Sequence, residues 1–332
     1  MKLSKFVVCS LCTLASASAA RAQLQVGSSF NSGLSPVGLA YDQTSDTVWI
    51  YPSFSATIHH FSSSGAALGT VPRPGGSAND ADLAVPTVGM SLNGTPIPAG
   101  TLLFIDGESG VAEIYAINPA TGGVIASLNT SFGVSHVVGG AYHPGRETIF
   151  LVQDRVPGGS DANRVAEINP ASGAVLNTWV ITAVRPTFTV NFGDLDIAGN
   201  GNLLVASSDE SSIGEFTPAG AFVAEHALPA GVSSLCGIGS DHTRCELWAA
   251  STGTSTWRMT LPAGHDLCGA PPCDPDVNCD GAVNGFDVEA TEQAVNGDFS
   301  NFCQASADLN GDGAENGFDI ETQEQRVNGA PC

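Results

Sequence analysis

One short apolar run recurs five times along the chain: Thr47–Tyr51 (TVWIY), Thr101–Ile105 (TLLFI), Thr148–Val152 (TIFLV), Asn202–Ala206 (NLLVA) and Glu246–Ala250 (ELWAA). Each is rich in β-branched and aromatic residues and is bounded by turn residues, the pattern of a buried strand. A second strand follows each run. Three of these lead into matching turns, Asn118–Gly122 (NPATG), Asn169–Gly173 (NPASG) and Thr217–Gly220 (TPAG). Proline presets one turn torsion there, and glycine takes the positive φ that ends the turn. A further strand comes next, as in Val124–Leu128, Val175–Trp179 and Phe222–His226. Ahead of four of the runs lies a strand of small residues: Val37–Asp42, Gly139–His143, Gly193–Ile197 and Cys236–Asp241. Small residues suit an inner strand, where neighbouring sheets converge.

The unit is thus four strands, repeated with a period of roughly 45 to 50 residues, the spacing of propeller blades. The fifth unit lacks its outer strand, and Leu24–Phe30 is a spare strand of suitable length. We expect it to complete the last blade and close the ring, which leaves only short sheet edges exposed. The second unit is the least regular, because Ala81–Pro98 carries several prolines and glycines; six blades and a pair of β-sandwiches are the competing arrangements. The predicted fold class is all-β: a five-bladed β-propeller, or a six-bladed one, followed by a small loop–helix domain. Over most of residues 24–265 the pattern resembles the NHL-like and YVTN-like β-propellers.

Composition narrows the setting. The net charge is −22 although only 13% of residues are charged. Such acidity disfavours nucleic acid and anionic membrane surfaces as partners. Residues 1–22 read as a signal peptide: Lys2 and Lys5, a short apolar core over Phe6–Leu14, and an A-x-A site at Ala20–Ala22. No segment is apolar for long enough to span a membrane. The expected layout is a signal peptide (1–22), a propeller (23–262), a Pro/Gly-rich linker (263–272) and a C-terminal module (273–332), in a secreted or extracellular protein.

The C-terminal module holds two near-copies of a calcium loop. Asp276–Asp287 reads DVNCDGAVNGFD and Asp308–Asp319 reads DLNGDGAENGFD, 32 residues apart (308 − 276). Both place oxygen-bearing side chains at loop positions 1, 3, 5, 9 and 12 and glycine at position 6, which suits a hard cation that needs six or seven oxygens. Pro271 and Pro272 keep a helix from entering the first loop. A helix is predicted after each loop, over Val288–Val295 and Ile320–Val327, with Asn-Gly caps at 296–297 and 328–329.

A duplicated loop–helix half-motif resembles a dockerin, and the paired N-G-F-D with nearby cysteines is similar to the GC-type variant. The loop positions imply two Ca2+ ions. The first would use Asp276, Asn278, Asp280, Asp287 and the Ala282 carbonyl, with Asn284 acting directly or through water. The second would use Asp308, Asn310, Asp312, Asp319, the Ala314 carbonyl and Asn316 likewise. Three carboxylates per loop repel one another without metal, so metal binding should appear as folding energy. The resemblance implies a cohesin-like scaffold or cell-surface partner, contacted through loop positions 10 and 11: Gly285, Phe286, Gly317 and Phe318. The competing reading is that both phenylalanines cover the small core.

Seven cysteines follow the signal segment, in keeping with an oxidising compartment. Cys236 and Cys245 are expected to bridge adjacent strands of the last blade. No HExxH, GxSxG, Walker or GxGxxG pattern appears in a suitable context. The best catalytic set is a ring of polar residues at inner-strand ends: Asp42, His143, Asp194, Asp196 and Asp241. Turn and cap residues give the same pattern. Two functions therefore stand: a propeller that binds or displays an unknown ligand and is anchored by its tail, or an exported hydrolase or lyase acting on a carbohydrate or lactone.

Overall fold

The computed structural model describes residues 24–76, 78–154, 163–260, 275–304, 306–310 and 314–330. The expected signal segment, the 263–272 linker, Asp312 and the cysteines at 268, 273 and 332 lie outside the described residues.

The body is a five-bladed propeller. β1 (Gln25–Asn31) comes first in the chain, and blade one follows as β2 (Pro36–Asp42), β3 (Thr47–Pro52), β4 (Thr57–Ser62) and β5 (Ala67–Pro72). Blade two is β6 (Ala81–Ala84), a separate hairpin of β7 (Met90–Leu92) and β8 (Thr95–Ile97), then β9 (Leu102–Asp106), β10 (Glu113–Ile117) and β11 (Val124–Asn129). Blade three is β12 (Val137–His143), β13 (Thr148–Gln153), β14 (Arg164–Ile168) and β15 (Val175–Val180), followed by the short helix α1 (Ile181–Val184). Blade four is β16 (Asp194–Ile197), β17 (Leu203–Ala206), β18 (Ser212–Phe216) and β19 (Phe222–Ala227). Blade five is β20 (Leu235–Asp241), β21 (Glu246–Ser251) and β22 (Ser255–Thr260), completed by β1. The β1–β22 pairing runs antiparallel from Gln25 opposite Thr260 to Asn31 opposite Ser255. The ring closes as expected. The irregular stretch after Ala84 is an inserted hairpin, not an extra blade.

All five apolar runs form the second strand of a blade and are almost wholly buried. Each blade-to-blade seam is a separate apolar cluster. Ile105 and Leu151 share the seam of blades two and three, Phe150 and Phe216 that of three and four, and Ile50 and Trp248 that of one and five. Burying side chains of this size is worth roughly 1.5–3 kcal/mol each.

The axis is built from a ring of five equivalent inner-strand positions, each facing the last residue of its apolar run. Gly38 faces Tyr51, Asp82 faces Ile105, Gly139 faces Val152, Asp194 faces Ala206 and Gly237 faces Ala250. The glycines allow the inner strands to touch. A Cβ on Gly38 would lie 2.7 Å from the Asp82 Cα, one on Gly139 2.5 Å from the Asp194 Cα, and one on Gly237 2.6 Å from the Leu39 nitrogen. The two aspartates fill the space and link neighbouring blades. Asp82 Oδ2 accepts from the Gly140 N–H (3.1 Å) and Asp194 Oδ2 from the Ile238 N–H (2.6 Å). One level on, Asp196 Oδ2 accepts from the Ser240 N–H (2.6 Å).

The C-terminal module has two helices, α2 (Gly285–Val295) and α3 (Gly317–Val327). Each starts three residues before its predicted start (288 − 285 and 320 − 317). The reason is local. Asn284 and Asn316 are N-caps, and Asp287 and Asp319 close capping boxes onto them, satisfying N–H groups that a later start would leave bare. Gly297 (φ 90°) and Gly329 (φ 89°) end the helices in the left-handed conformation, as expected. The core is small: Val277, Ala290, Ala294, Phe302, Ala307 and Leu309.

Candidate functional site

The first loop curls on its own side chains. Asp276 accepts from the Asp280 N–H (3.1 Å) and the Gly281 N–H (2.9 Å), Asn278 Oδ1 accepts from the Asp280 N–H (3.0 Å), and Asp280 Oδ1 accepts from the Ala282 N–H (2.9 Å). Gly281 takes φ 86° at the sharpest point. Asp287 reaches across from the helix and accepts from the N–H groups of Asn278 (3.3 Å) and Asn284 (2.8 Å). In the second loop Asp319 plays the part of Asp287, accepting from the N–H groups of Leu309 (2.8 Å), Asn310 (3.1 Å) and Asn316 (2.7 Å). Asn284 and Asn316 each accept from the N–H two residues on, Phe286 and Phe318, and donate to the carbonyls of Ala282 and Ala314.

The donor chemistry fits a hard cation. The oxygens at positions 1, 3, 5 and 12 of the first loop belong to three carboxylates and an amide, and the one sulfur in that loop, at Cys279, is bonded to Cys303. Among the described residues no three His, Cys, Asp or Glu side chains are already arranged to hold a metal ion. The carboxylates are instead held by the loop's own N–H groups.

Phe286 and Phe318 do not cover the core. They stand in the first turn of α2 and α3, 66% and 65% exposed, with exposed Gly285 and Gly317 beside them. Phe286 borders a cleft of about 450 Å3 that also touches Asp280, Gln293, Asn301 and Phe302.

The polar residues expected at the propeller axis do not form one ring. Asp42 and Asp241 close turns at one end of their strands. Asp42 accepts from the Thr44 N–H (3.0 Å) and the Ser45 hydroxyl (2.6 Å), and Asp241 accepts from Thr243 and from the Arg244 guanidinium (2.8 Å). His143, at the same end, bonds the Gly201 carbonyl (2.9 Å), and burial lowers its pKa. Asp194 and Asp196 lie deeper, on cross-blade bonds. Burial raises the pKa of both, that of Asp194 to about 7, and raises that of Asp82 beside them. Asp82 was not among the expected residues, because its short strand sits in the irregular second unit. Only about 30 Å3 of free space remains at the Asp196 and His242 end of the axis.

The opposite end holds a group that sequence reading missed. His136 Nδ1 lies 2.7 Å from Asp80 Oδ2 and 3.7 Å from Asp154 Oδ1. The imidazole side chain is 38% exposed, whereas both carboxylates are buried. These residues fall in three separate connections, and only the ring brings them together.

The expected Cys236–Cys245 bridge is corrected by the structure. Cys236 is a free, buried thiol, and Cys245 is disulfide-bonded elsewhere. The two sit at opposite ends of the β20–β21 hairpin, in which Leu235 faces Ser251 and Asp241 faces Glu246. Five residues of strand separate their ends by about 17 Å, beyond the reach of a disulfide.

Residues 274–328 match the family described as the dockerin type I domain. The C-terminal segment is thus a type I dockerin domain, of the kind that typically binds calcium and docks onto a cohesin; proteins that carry one are extracellular or cellulosomal. No curated protein matches the chain. Among solved structures, the propeller is similar to virginiamycin B lyase from Staphylococcus aureus (TM-score 0.38, 13% identity, 68% of this chain and 66% of that one). It is also similar to a luciferin-regenerating enzyme (TM-score 0.44, 11% identity, 74% and 94%) and to the calcium-binding protein regucalcin from Agrobacterium tumefaciens str. C58 (TM-score 0.42, 13% identity, 68% and 89%). The chain spans just under two thirds of the lyase's length. Likeness at this level carries nothing about ligand or chemistry. Among the described residues no helix is long and apolar enough to cross a membrane.

Proposed function

We propose that this is an exported protein whose dockerin domain attaches a β-propeller to a cohesin-like scaffold or cell-surface partner in a calcium-dependent way. Asp276, Asn278, Asp280, Asp287 and the Ala282 carbonyl would hold one ion, with Asn284 at its edge. Asp308, Asn310, Asp312, Asp319 and the Ala314 carbonyl would hold the second, with Asn316 in the same role. The ions supply the positive charge that offsets the crowded carboxylates and fixes the loops. The observation that carries the reading is the pair of exposed phenylalanines at equivalent places on the two half-motifs. Aromatic side chains presented this way on a rigid helix start are suited to anchor a protein interface. The test is capture of the full chain on an immobilised type I cohesin with calcium and with EDTA. Equal capture in both, or in neither, would refute calcium-dependent docking.

In this reading the propeller is a platform that binds or displays a ligand. A second reading, an exported hydrolase or lyase acting on a carbohydrate or lactone, is favoured by one feature, the part-exposed His136 against the buried Asp80 and Asp154.

A further inference from the structure

Five equivalent backbone bonds surround one mouth of the axis, where the chain leaves each second strand and enters each inner one. They run from the N–H of Ser53 to the Ser35 carbonyl, Gly107 to Asp80, Asp154 to His136, Ser208 to Asn191 and Thr252 to Ser234. Blades one, four and five place only neutral residues at both positions. Blades two and three break the pattern with Asp80, His136 and Asp154, side by side.

The turn does not require this histidine. His136 sits in the left-handed region (φ 61°), but Ser234 occupies the equivalent place in blade five with φ 57°. The backbone at Asp80 is pinned by Glu108, whose Oε2 accepts from the N–H groups of Asn79 and Asp80 (2.7 and 2.9 Å), and the Asp154 carboxylate is held through Oδ2, which accepts from the Phe192 N–H (3.1 Å). With Asp80 and Asp154 both on the Nδ1 side, the ring proton belongs on Nδ1. Nε2 is then left as the acceptor on the far side of a ring whose side chain is 38% exposed, which is the arrangement of an oriented general base.

We propose that His136 is the general base of a hydrolytic site at this mouth, with Asp80 as its positioning residue and a neutral, hydroxyl-rich acyl ester, such as an acylated carbohydrate, as substrate. The net charge of −22 disfavours an anionic substrate. Ser53 and Ser208 spend their hydroxyl protons on Asn79 and the Asn191 carbonyl, and exposed Ser35 and Thr252 with half-buried Ser234 are the groups that could meet sugar hydroxyls. Glycoside cleavage needs two carboxylates flanking the scissile bond; here both lie on one side of an imidazole. In the step, Nε2 takes a proton from water as the water oxygen bonds to the acyl carbon. The tetrahedral adduct then breaks its bond to the sugar oxygen, which takes the proton back from Nε2. An acid and an alcohol leave.

This inference rests on the hydrolase reading of the propeller and not on the dockerin. The test uses the full chain with calcium, 4-nitrophenyl acetate and cellobiose octaacetate as probes, and the variants H136S, chosen because serine fits the equivalent turn, H136Q and D80N. Wild type should release acetate faster than free imidazole at equal concentration. H136S and H136Q should lose about 100-fold or more, the usual scale for a general base. D80N should lose less and shift the pH profile, which a merely structural role would not do, with circular dichroism confirming the fold of each variant. If wild type is active and both His136 variants match it, the hydrolase reading stands and this site is wrong. A wild type no faster than imidazole removes the reading and the site together.

Discussion

Replacing Gly139 by alanine tests the packing of the axis most directly. The added Cβ would lie 2.5 Å from both the Asp194 Cα and the Leu195 nitrogen, and 2.7 Å from Asp194 Oδ1. Carbon contacts settle at about 3.5–4.0 Å, so β12 and β16 would have to part by about 1 Å. Two of the three obstacles are backbone atoms and cannot rotate away. Overpacking of this kind costs roughly 1–3 kcal/mol. The displaced Asp194 would also strain its 2.6 Å bond to the Ile238 N–H, and a buried hydrogen bond lost to a charged group adds about 1–3 kcal/mol. A total near 3 kcal/mol corresponds to a fall in Tm of about 6–12 °C for a domain of this size. The assay is urea and thermal unfolding followed by tryptophan fluorescence. All four tryptophans (Trp49, Trp179, Trp248 and Trp257) lie in the propeller, so the signal excludes the dockerin. Gly76→Ala is the control, since nothing lies within 4 Å of its added Cβ. A G139A protein whose midpoint matches that of the control would refute the argument that the inner strands touch through glycine.

Three further outcomes follow. Burial raises the Asp194 carboxyl to about 7, so the folded state binds this proton more tightly than the unfolded chain; its contribution is complete below the unfolded value near 3.8 and is lost as pH rises through about 7. Propeller stability should therefore fall by about 1 kcal/mol per pH unit across that window, and D194N should flatten the slope in unfolding titrations. Chelation should unfold the dockerin, read as loss of helical ellipticity from α2 and α3 in the isolated 268–332 segment, with recovery on adding calcium; ellipticity unchanged by EDTA would count against the calcium loops. The double variant F286A/F318A should weaken cohesin capture by about 30-fold or more, equivalent to roughly 2 kcal/mol, while leaving the calcium-dependent ellipticity intact.

The blades were legible because each apolar run is buried by its own local pattern, bounded by turns such as Asn118–Gly122, where Asn118 Oδ1 accepts from the N–H groups of Ala120 and Thr121. Ring closure was legible because one strand was spare and one sheet short. The dockerin loops were legible because an ion needs its oxygens at fixed spacings along one stretch of chain. Helix starts were misplaced where Asn284 and Asn316 were assigned to the ion alone, although an Asn followed three residues later by an acid is also a capping signal. The Cys236–Cys245 pairing failed because closeness in sequence is not closeness across a hairpin.

The sequence by itself determined the five buried runs, the turns that bound them, the helix after each loop and the oxygen-rich loops, since these depend on interactions between near neighbours along the chain. Only the tertiary structure decided which residues share the axis and its mouth. Gly38, Asp82, Gly139, Asp194 and Gly237 are far apart in sequence and meet at one level; so do Asp80, His136 and Asp154 at the next. Their proximity comes from ring closure, a long-range constraint that no local pattern encodes. It also decided that Phe286 and Phe318 face outward, because Val277, Phe302 and Leu309 already fill the small dockerin core.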